Sequence, residues 1–169
     1  PLTGMQALYC RGSQVRNLAG LAGMQQLHRL ECRETPVSDL SPLANLTSLN
    51  YLDCDKTQVR DLGPLGHLPN LEWVYCSVSP VNDLGAWSPQ SPLRNLYCHN
   101  TEVADLSPLA NLSALEMLDC RDTQVADLSP LVSLESLKNL NCSCTQVSDL
   151  SPISQLVGLE GLDCSYLQV

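Results

Sequence analysis

Apolar and polar positions in this chain return on a fixed beat. Eight cysteines, Cys10, Cys32, Cys54, Cys76, Cys98, Cys120, Cys142 and Cys164, stand 22 residues apart, with nothing inserted or deleted between them. Aligned on them, the chain becomes a unit that reads L-x-x-L-x-C-x-x-T-x-V-x-D-L-S-P-L-A-N-L-x-x, clearest from Leu115 to Ser136. Units begin at Met5, Leu27, Leu49, Leu71, Leu93, Leu115, Leu137 and Leu159, the last cut short at Val169. Inside L-x-x-L-x-C the apolar period is two, which belongs to a strand whose successive side chains point to opposite faces. Leu118 and Cys120 are thereby aimed inward, and Met117, Asp119 and Arg121 outward. Val125 and Leu128 return the chain to the core. A hydroxyl residue follows three places after seven of the cysteines (Ser13, Thr35, Thr57, Ser79, Thr101, Thr123, Thr145). It is expected to satisfy the backbone where the chain leaves the strand. Ser-Pro steps at Ser41-Pro42, Ser107-Pro108, Ser129-Pro130 and Ser151-Pro152 predict short helical turns, with serine as N-cap and proline as first helical residue.

A fixed period of roughly 20–50 residues is the signature of a solenoid, since no single unit can bury its own apolar face. The predicted class is an α/β solenoid over residues 1–169, with stacked strands forming a parallel sheet on one face and short helical or 3-10 turns on the other. The L-x-x-L-x-[LC]-x-x-[NCT]-x-[LV] core resembles a leucine-rich repeat. The 22-residue length and the D-L-S-P-L-A-N-L segment resemble the repeats of bacterial internalins most closely. That resemblance implies a curved, right-handed coil whose concave face carries the sheet and binds other proteins. Two features depart from it: cysteine replaces the third leucine, and threonine or serine replaces the usual asparagine, a pattern broken again at Leu167. Pro1 to Gly4 read as the tail of an earlier unit, and the polar caps that solenoid ends require are not evident. The chain is therefore expected to be a piece of a longer protein, or to have its ends covered.

Composition narrows the function classes. Hydrophobic residues make up 44% of the chain, yet there is no Phe and aromatics are only 4%, which suits a thin leucine core. The net charge is −9, but six of the 18 acids (Asp39, Asp61, Asp83, Asp105, Asp127, Asp149) occupy one motif position just before the turn and read as structural. The rest is unevenly spread. Residues 1–60 hold six Lys/Arg against five Asp/Glu, whereas residues 61–169 hold three against 13, or −10. Nucleic-acid binding, which rests on Lys and Arg meeting phosphates, is disfavoured, and a partner with a basic surface is favoured. No run approaches the roughly 18 apolar residues of a membrane span. The periodic cysteines read as reduced core residues, because parallel neighbours lie alongside one another rather than converging. So many free thiols suggest a reducing compartment: the cytoplasm, of a bacterium or of a host cell into which the protein is delivered. Cys144 stands outside the ladder and is expected to be an exposed, incidental thiol.

No catalytic constellation emerges, and no cofactor is implied. Cys98 and His99 adjoin, but adjacent strand residues face opposite ways. Asp53 and Asp55 share a face, and are expected to be solvated on an open sheet. The outward positions are where the repeat leaves sequence free. Down the first column the chain reads Ala7, Arg29, Tyr51, Trp73, Asn95, Met117, Asn139, Gly161, and down the second Tyr9, Glu31, Asp53, Tyr75, Tyr97, Asp119, Asn141, Asp163. The third reads Arg11, Arg33, Asp55, Ser77, His99, Arg121, Ser143, Ser165. Five of seven aromatics fall on the first two columns. Tyr51, Trp73, Tyr75 and Tyr97 with Met117 form an apolar cluster rimmed by Arg11, Arg29 and Arg33 on one side and Asp119, Arg121 and Asp163 on the other, the composition of an interface hot spot. In the fourth unit Gly85-Ala86-Trp87-Ser88-Pro89-Gln90-Ser91-Pro92 replaces the regular turn, so no helix is expected there and Trp87 takes a core leucine position.

The preferred function is non-enzymatic recognition of a partner protein on the concave face, centred on Trp73. Alternatives are the substrate-recognition arm of a larger enzyme, as in ubiquitin-ligase-like effectors or GTPases that carry similar repeats, and a spacer that self-associates through uncapped ends.

Overall fold

A computed structural model describes residues 4–85 and 87–167. Eight three-residue strands form one open, curved parallel sheet in sequence order: β1 (Ala7–Tyr9), β2 (Arg29–Glu31), β3 (Tyr51–Asp53), β4 (Trp73–Tyr75), β5 (Asn95–Tyr97), β6 (Met117–Asp119), β7 (Asn139–Asn141) and β8 (Gly161–Asp163). The register never slips. Leu8, Leu30, Leu52, Val74, Leu96, Leu118, Leu140 and Leu162 align across the sheet. One unit places seven side chains in the core: Leu27, Leu30, Cys32, Val37, Leu40, Leu43 and Leu46 are all essentially inaccessible. The same positions repeat down the coil, except that the fourth unit has Trp87 at the sixth and the exposed Gln90 at the seventh, so burial comes from stacking on neighbours.

The threonines after the cysteines behave as the sequence predicts, whereas Ser13 and Ser79 bond elsewhere, Ser79 Oγ donating to Cys54 O of the preceding unit at 3.2 Å. Thr35, Thr57, Thr101, Thr123 and Thr145 donate Oγ1–H to the carbonyl of the cysteine three residues back, at 2.6–2.7 Å. Between cysteine and threonine the chain passes through the left-handed region. Gly12, Glu34, Lys56, Val78, Asn100, Asp122, Cys144 and Tyr166 all have φ between 53° and 67°. The backbone N–H at this position still donates to the next repeat, as from Val78 to His99 O at 2.9 Å and from Asp122 to Ser143 O at 3.0 Å. The left-handed residue thus carries the ladder past the strand while turning the chain.

Short 3-10 turns cover Ala19–Leu21, Ser41–Leu43, Gly63–Leu65, Ser107–Leu109, Ser129–Leu131 and Ser151–Gln155. Serine is not their N-cap. The capping residue is the preceding leucine, which makes no side-chain cap bond. The repeated aspartate does that work from two residues upstream. Asp39, Asp105, Asp127 and Asp149 Oδ1 accept the N–H of Ser41, Ser107, Ser129 and Ser151 at 2.7–2.8 Å, and Asp61 and Asp83 do the same for Gly63 and Gly85. These hydrogen bonds favour the ionised carboxylate and lower the pKa of Asp39, Asp105, Asp127 and Asp149.

In the fourth unit no 3-10 turn forms among the described residues. Trp87 fills the leucine's place at 9% exposure, its Nε1–H buried without a partner. Gly85, at φ +80°, lies so close to the third unit that a Cβ there would stand 2.7 Å from the Gly63 nitrogen. A bridge between Asp61 and Asp83 ties the same two turns.

Candidate functional site

The concave face is built by pleating alone. Each strand sends its middle residue inward and its outer two outward, and the parallel register lines these up at about 4.8 Å per repeat. That spacing suits aromatic stacking. Tyr75 and Tyr97, neighbours in the second column, stack with centroids 4.5 Å apart and planes 3° from parallel. Tyr51 reaches across from the first column to meet Tyr75 at 5.4 Å and 38°. The Arg29 guanidinium lies 3.5 Å from the centroid of Tyr51, and Arg29 Nε donates to Glu31 Oε1 at 2.8 Å. Arg29 therefore belongs to the stack rather than to its rim. The four side chains make one continuous diagonal over β2 to β5, closed at one end by a cation and ending at Tyr97 on the other.

Trp73, on the first column between Tyr51 and Asn95, is 36% exposed, and its ring stacks on no other among the described residues. Met117 is half-buried, in register with Asn95. Arg33 is half-buried, with its Nε unpartnered and its Nη2 3.6 Å from Glu34 Oε1. Arg121 Nε lies 3.8 Å from Asp119 Oδ2. Sequence thus places all nine candidates on one face, but it does not reveal that the tyrosines share one stack or that Arg29 caps it.

The two aspartates of the third unit are not solvated as expected. Asp53 is only 5% exposed, held between Glu31 and Tyr75 in register, and Asp55 is half-buried. Asp53 Oδ1 accepts the Asp55 N–H at 3.1 Å, and Asp55 Oδ1 accepts the Ser77 N–H at 2.7 Å. Burial nevertheless raises both pKa values, more than these bonds and the nearby Arg33 lower them. Bulky tyrosines in the next repeats exclude water from a face that would otherwise be open.

His99 is separated from Cys98, whose thiol points into the core. It turns to the concave side, where Nδ1 lies 2.8 Å from Ser77 Oγ and 3.6 Å from Asp119 Oδ2. This is not the arrangement of a catalytic triad, in which hydroxyl and carboxylate occupy different ring nitrogens and the hydroxyl is reachable. Here both approach one nitrogen, and Ser77 is fully buried. The residues form a polar seam beside the tyrosine stack.

All nine cysteines are free thiols. Inside the ladder Cys54, Cys76 and Cys120 donate S–H to the carbonyl of the next strand at 3.2–3.4 Å. Burial pushes Cys32 and Cys98 up to about 12 and Cys142 to about 11, which leaves them protonated and unreactive at neutral pH. Cys144 is exposed. Among the described residues no group of three His, Cys, Asp or Glu side chains is arranged to hold a metal, and no helix is long and apolar enough to cross a membrane.

A family model for leucine-rich repeats in two copies matches residues 93–133. No curated protein sequence matches the chain. Solved structures do. An internalin C2 from Listeria monocytogenes is 32% identical with a TM-score of 0.90, the match covering 97% of this chain and 73% of that one. An internalin (inlF) from the same organism is also 32% identical, with a TM-score of 0.87 and 99% of this chain covered. The present chain spans 49% of its length. The functional domain of InlJ, again from Listeria monocytogenes and described as including a cysteine ladder, is 24% identical with a TM-score of 0.68, over 99% of this chain and 41% of that one.

Proposed function

This chain belongs to the internalin-type family of bacterial leucine-rich-repeat proteins, and on that premise we propose that it is a recognition module that grips a partner protein through its concave face, centred on Trp73. The leucine-rich-repeat fold of these proteins is typically non-enzymatic and serves protein interaction. The observation that carries the reading is the aromatic strip, with Tyr51, Tyr75 and Tyr97 in one stack beside a partly exposed Trp73. Such a strip loses little entropy on binding, because the rings already hold one another in place. A contiguous apolar patch rimmed by polar residues, rather than any one exposed ring, is what marks an interaction surface. Met117, Arg33, Asp119 and Arg121 border the strip and would set specificity. The strongly acidic stretch from residue 61 onward favours a partner with a basic surface. Protonated, unpaired core thiols suit a reducing compartment, such as the bacterial or host cytoplasm.

The test is an affinity capture from bacterial and animal-cell lysates, comparing the native chain with a Tyr51→Ala, Trp73→Ala, Tyr97→Ala variant whose fold is first checked by circular dichroism. Proteins retained by the native chain and lost by the variant are the expected result. Identical sets from both would remove the concave strip as the binding surface.

A further inference from the structure

The tyrosine stack is closed at one end and open at the other. At the β2 end a guanidinium, that of Arg29, covers the outer face of the stack 3.5 Å from the Tyr51 centroid. At the β5 end Tyr97 turns one face to Tyr75, so its second face looks toward β6. No ring and no cation lies over that second face among the described residues. The side chain next in register is Asp119, which is 7% exposed. Its Oδ1 accepts the Arg121 N–H at 3.2 Å. Its Oδ2 accepts no hydrogen bond among the described residues, and meets only His99 Nδ1 and Arg121 Nε, at 3.6 and 3.8 Å. An aromatic face and a poorly hydrogen-bonded carboxylate oxygen therefore stand on neighbouring strands, in register.

We propose that the Tyr97 face and Asp119 Oδ2 together make a subsite for an arginine side chain of the partner protein, stacked on Tyr97 as Arg29 stacks on Tyr51 and hydrogen-bonded to Asp119 Oδ2. The inference rests on the concave-face reading and deepens it by naming what the partner brings. A cation over a tyrosine face is attractive, the more so where water is thinned out. A planar guanidinium can lie flat on the ring while an edge N–H reaches the carboxylate, which a lysine ammonium does less well. Charge agrees with the assignment at the place itself, since the side chain next in register to Tyr97 is the carboxylate of Asp119. Arg121 competes for the same oxygen from the rim, at a distance too long for a hydrogen bond, so an incoming guanidinium has an unfilled acceptor to take.

The probe is a set of short glycine-serine peptides with a single central arginine, citrulline, lysine or glutamate, titrated into the 169-residue chain while two-dimensional NMR follows the Tyr97, His99 and Asp119 signals. Saturable shifts at these residues are expected with the arginine peptide. The citrulline peptide, equal in shape but neutral, should bind at least fivefold more weakly, and the glutamate peptide not at all. Asp119→Asn, which keeps the Oδ1 acceptor, and Tyr97→Leu should each weaken the arginine peptide by about three- to tenfold, in line with about 0.5–1 kcal/mol or more for such a contact. Equal binding of arginine and citrulline, or binding untouched by both substitutions, overturns the subsite. Shifts that instead map to Glu31 and Arg29 would overturn it too, by moving the cation to the closed end. If the arginine peptide fails while the lysate capture still depends on Trp73, the subsite is lost and the concave-face reading stands.

Discussion

At the scale of single residues, the structure departs from the sequence expectation where the backbone or its solvent, rather than the side-chain pattern, decides. The left-handed position after each strand is such a place. Glycine, asparagine and aspartate occupy it in three units, which is a trace of its conformation, but glutamate, lysine, valine, cysteine and tyrosine at the other five hide the trace. Val78 is the extreme case, a β-branched residue at φ +55° and 44% exposed. A left-handed conformation costs an ordinary residue roughly 1–2 kcal/mol, and asparagine less. Val78→Asn should therefore raise stability by about 1 kcal/mol, read as a thermal midpoint higher by roughly 2–4 °C; an unchanged or lower midpoint would mean that Val78 makes compensating contacts. Asp53 is a second case, where neighbours two repeats wide set the solvent. Its raised pKa means that folding disfavours the charged form, so the residue costs stability above its folded pKa and none below its unfolded one. Asn141 holds the equivalent place in its own unit, and its Oδ1 accepts the Ser143 N–H as Asp53 accepts that of Asp55. Asp53→Asn should accordingly stabilise the protein at pH 7, with the gain fading as pH falls through the raised folded value and gone below the ordinary carboxylate value of 3.8. A gain independent of pH would contradict that account.

At the scale of elements, the repeat was legible because each of its fixed residues answers one local demand, and the demands recur every 22 residues. Threonine answers for the strand-end carbonyl. Thr123→Val keeps the shape but leaves the Cys120 carbonyl without its 2.6 Å donor, so chemical denaturation should show a loss of about 1–3 kcal/mol. Thr123→Ser, which keeps the hydroxyl, should lose much less, and equal losses from both would assign the effect to packing. The turn was only half legible. Ser-Pro correctly marked where it starts, but the cap is the aspartate two residues earlier, whose recurrence in six units was the available signal. Charge there is stabilising. Because Asp39, Asp105, Asp127 and Asp149 have lowered folded pKa values, their contribution is complete above the unfolded value and is lost as pH falls through the folded one. Replacing all four with asparagine should lower the midpoint at pH 7 and flatten its decline below about pH 4. A decline as steep as in the native chain would mean that other carboxylates drive acid unfolding.

At the scale of the whole molecule, stability in a solenoid is a chain of nearest-neighbour interfaces, so one poor interface can divide it. The join between the third and fourth units is the place to look. There the regular turn is absent, Trp87 substitutes for leucine with its Nε1–H unpartnered, and contact depends on Gly85 meeting the Gly63 backbone. The tyrosine stack crosses the same join on the opposite face, linking Tyr51 to Tyr75. The aromatic surface and the convex irregularity therefore lie back to back, and what the turn fails to supply in packing the stack can supply across the sheet. A Cβ at Gly85 would lie 2.7 Å from the Gly63 nitrogen, and φ is already +80°, so Gly85→Ala must push the two units apart. Overpacking of this kind costs about 1–3 kcal/mol. The loss should be local: in native-state hydrogen exchange, amides of β3 and β4 should lose protection first, while those of β6 and β7 keep theirs. If coupling between units is what the stack maintains, adding Tyr75→Ala to Gly85→Ala should cost more than the two changes made singly. Additive losses would show that the two faces of the join act independently.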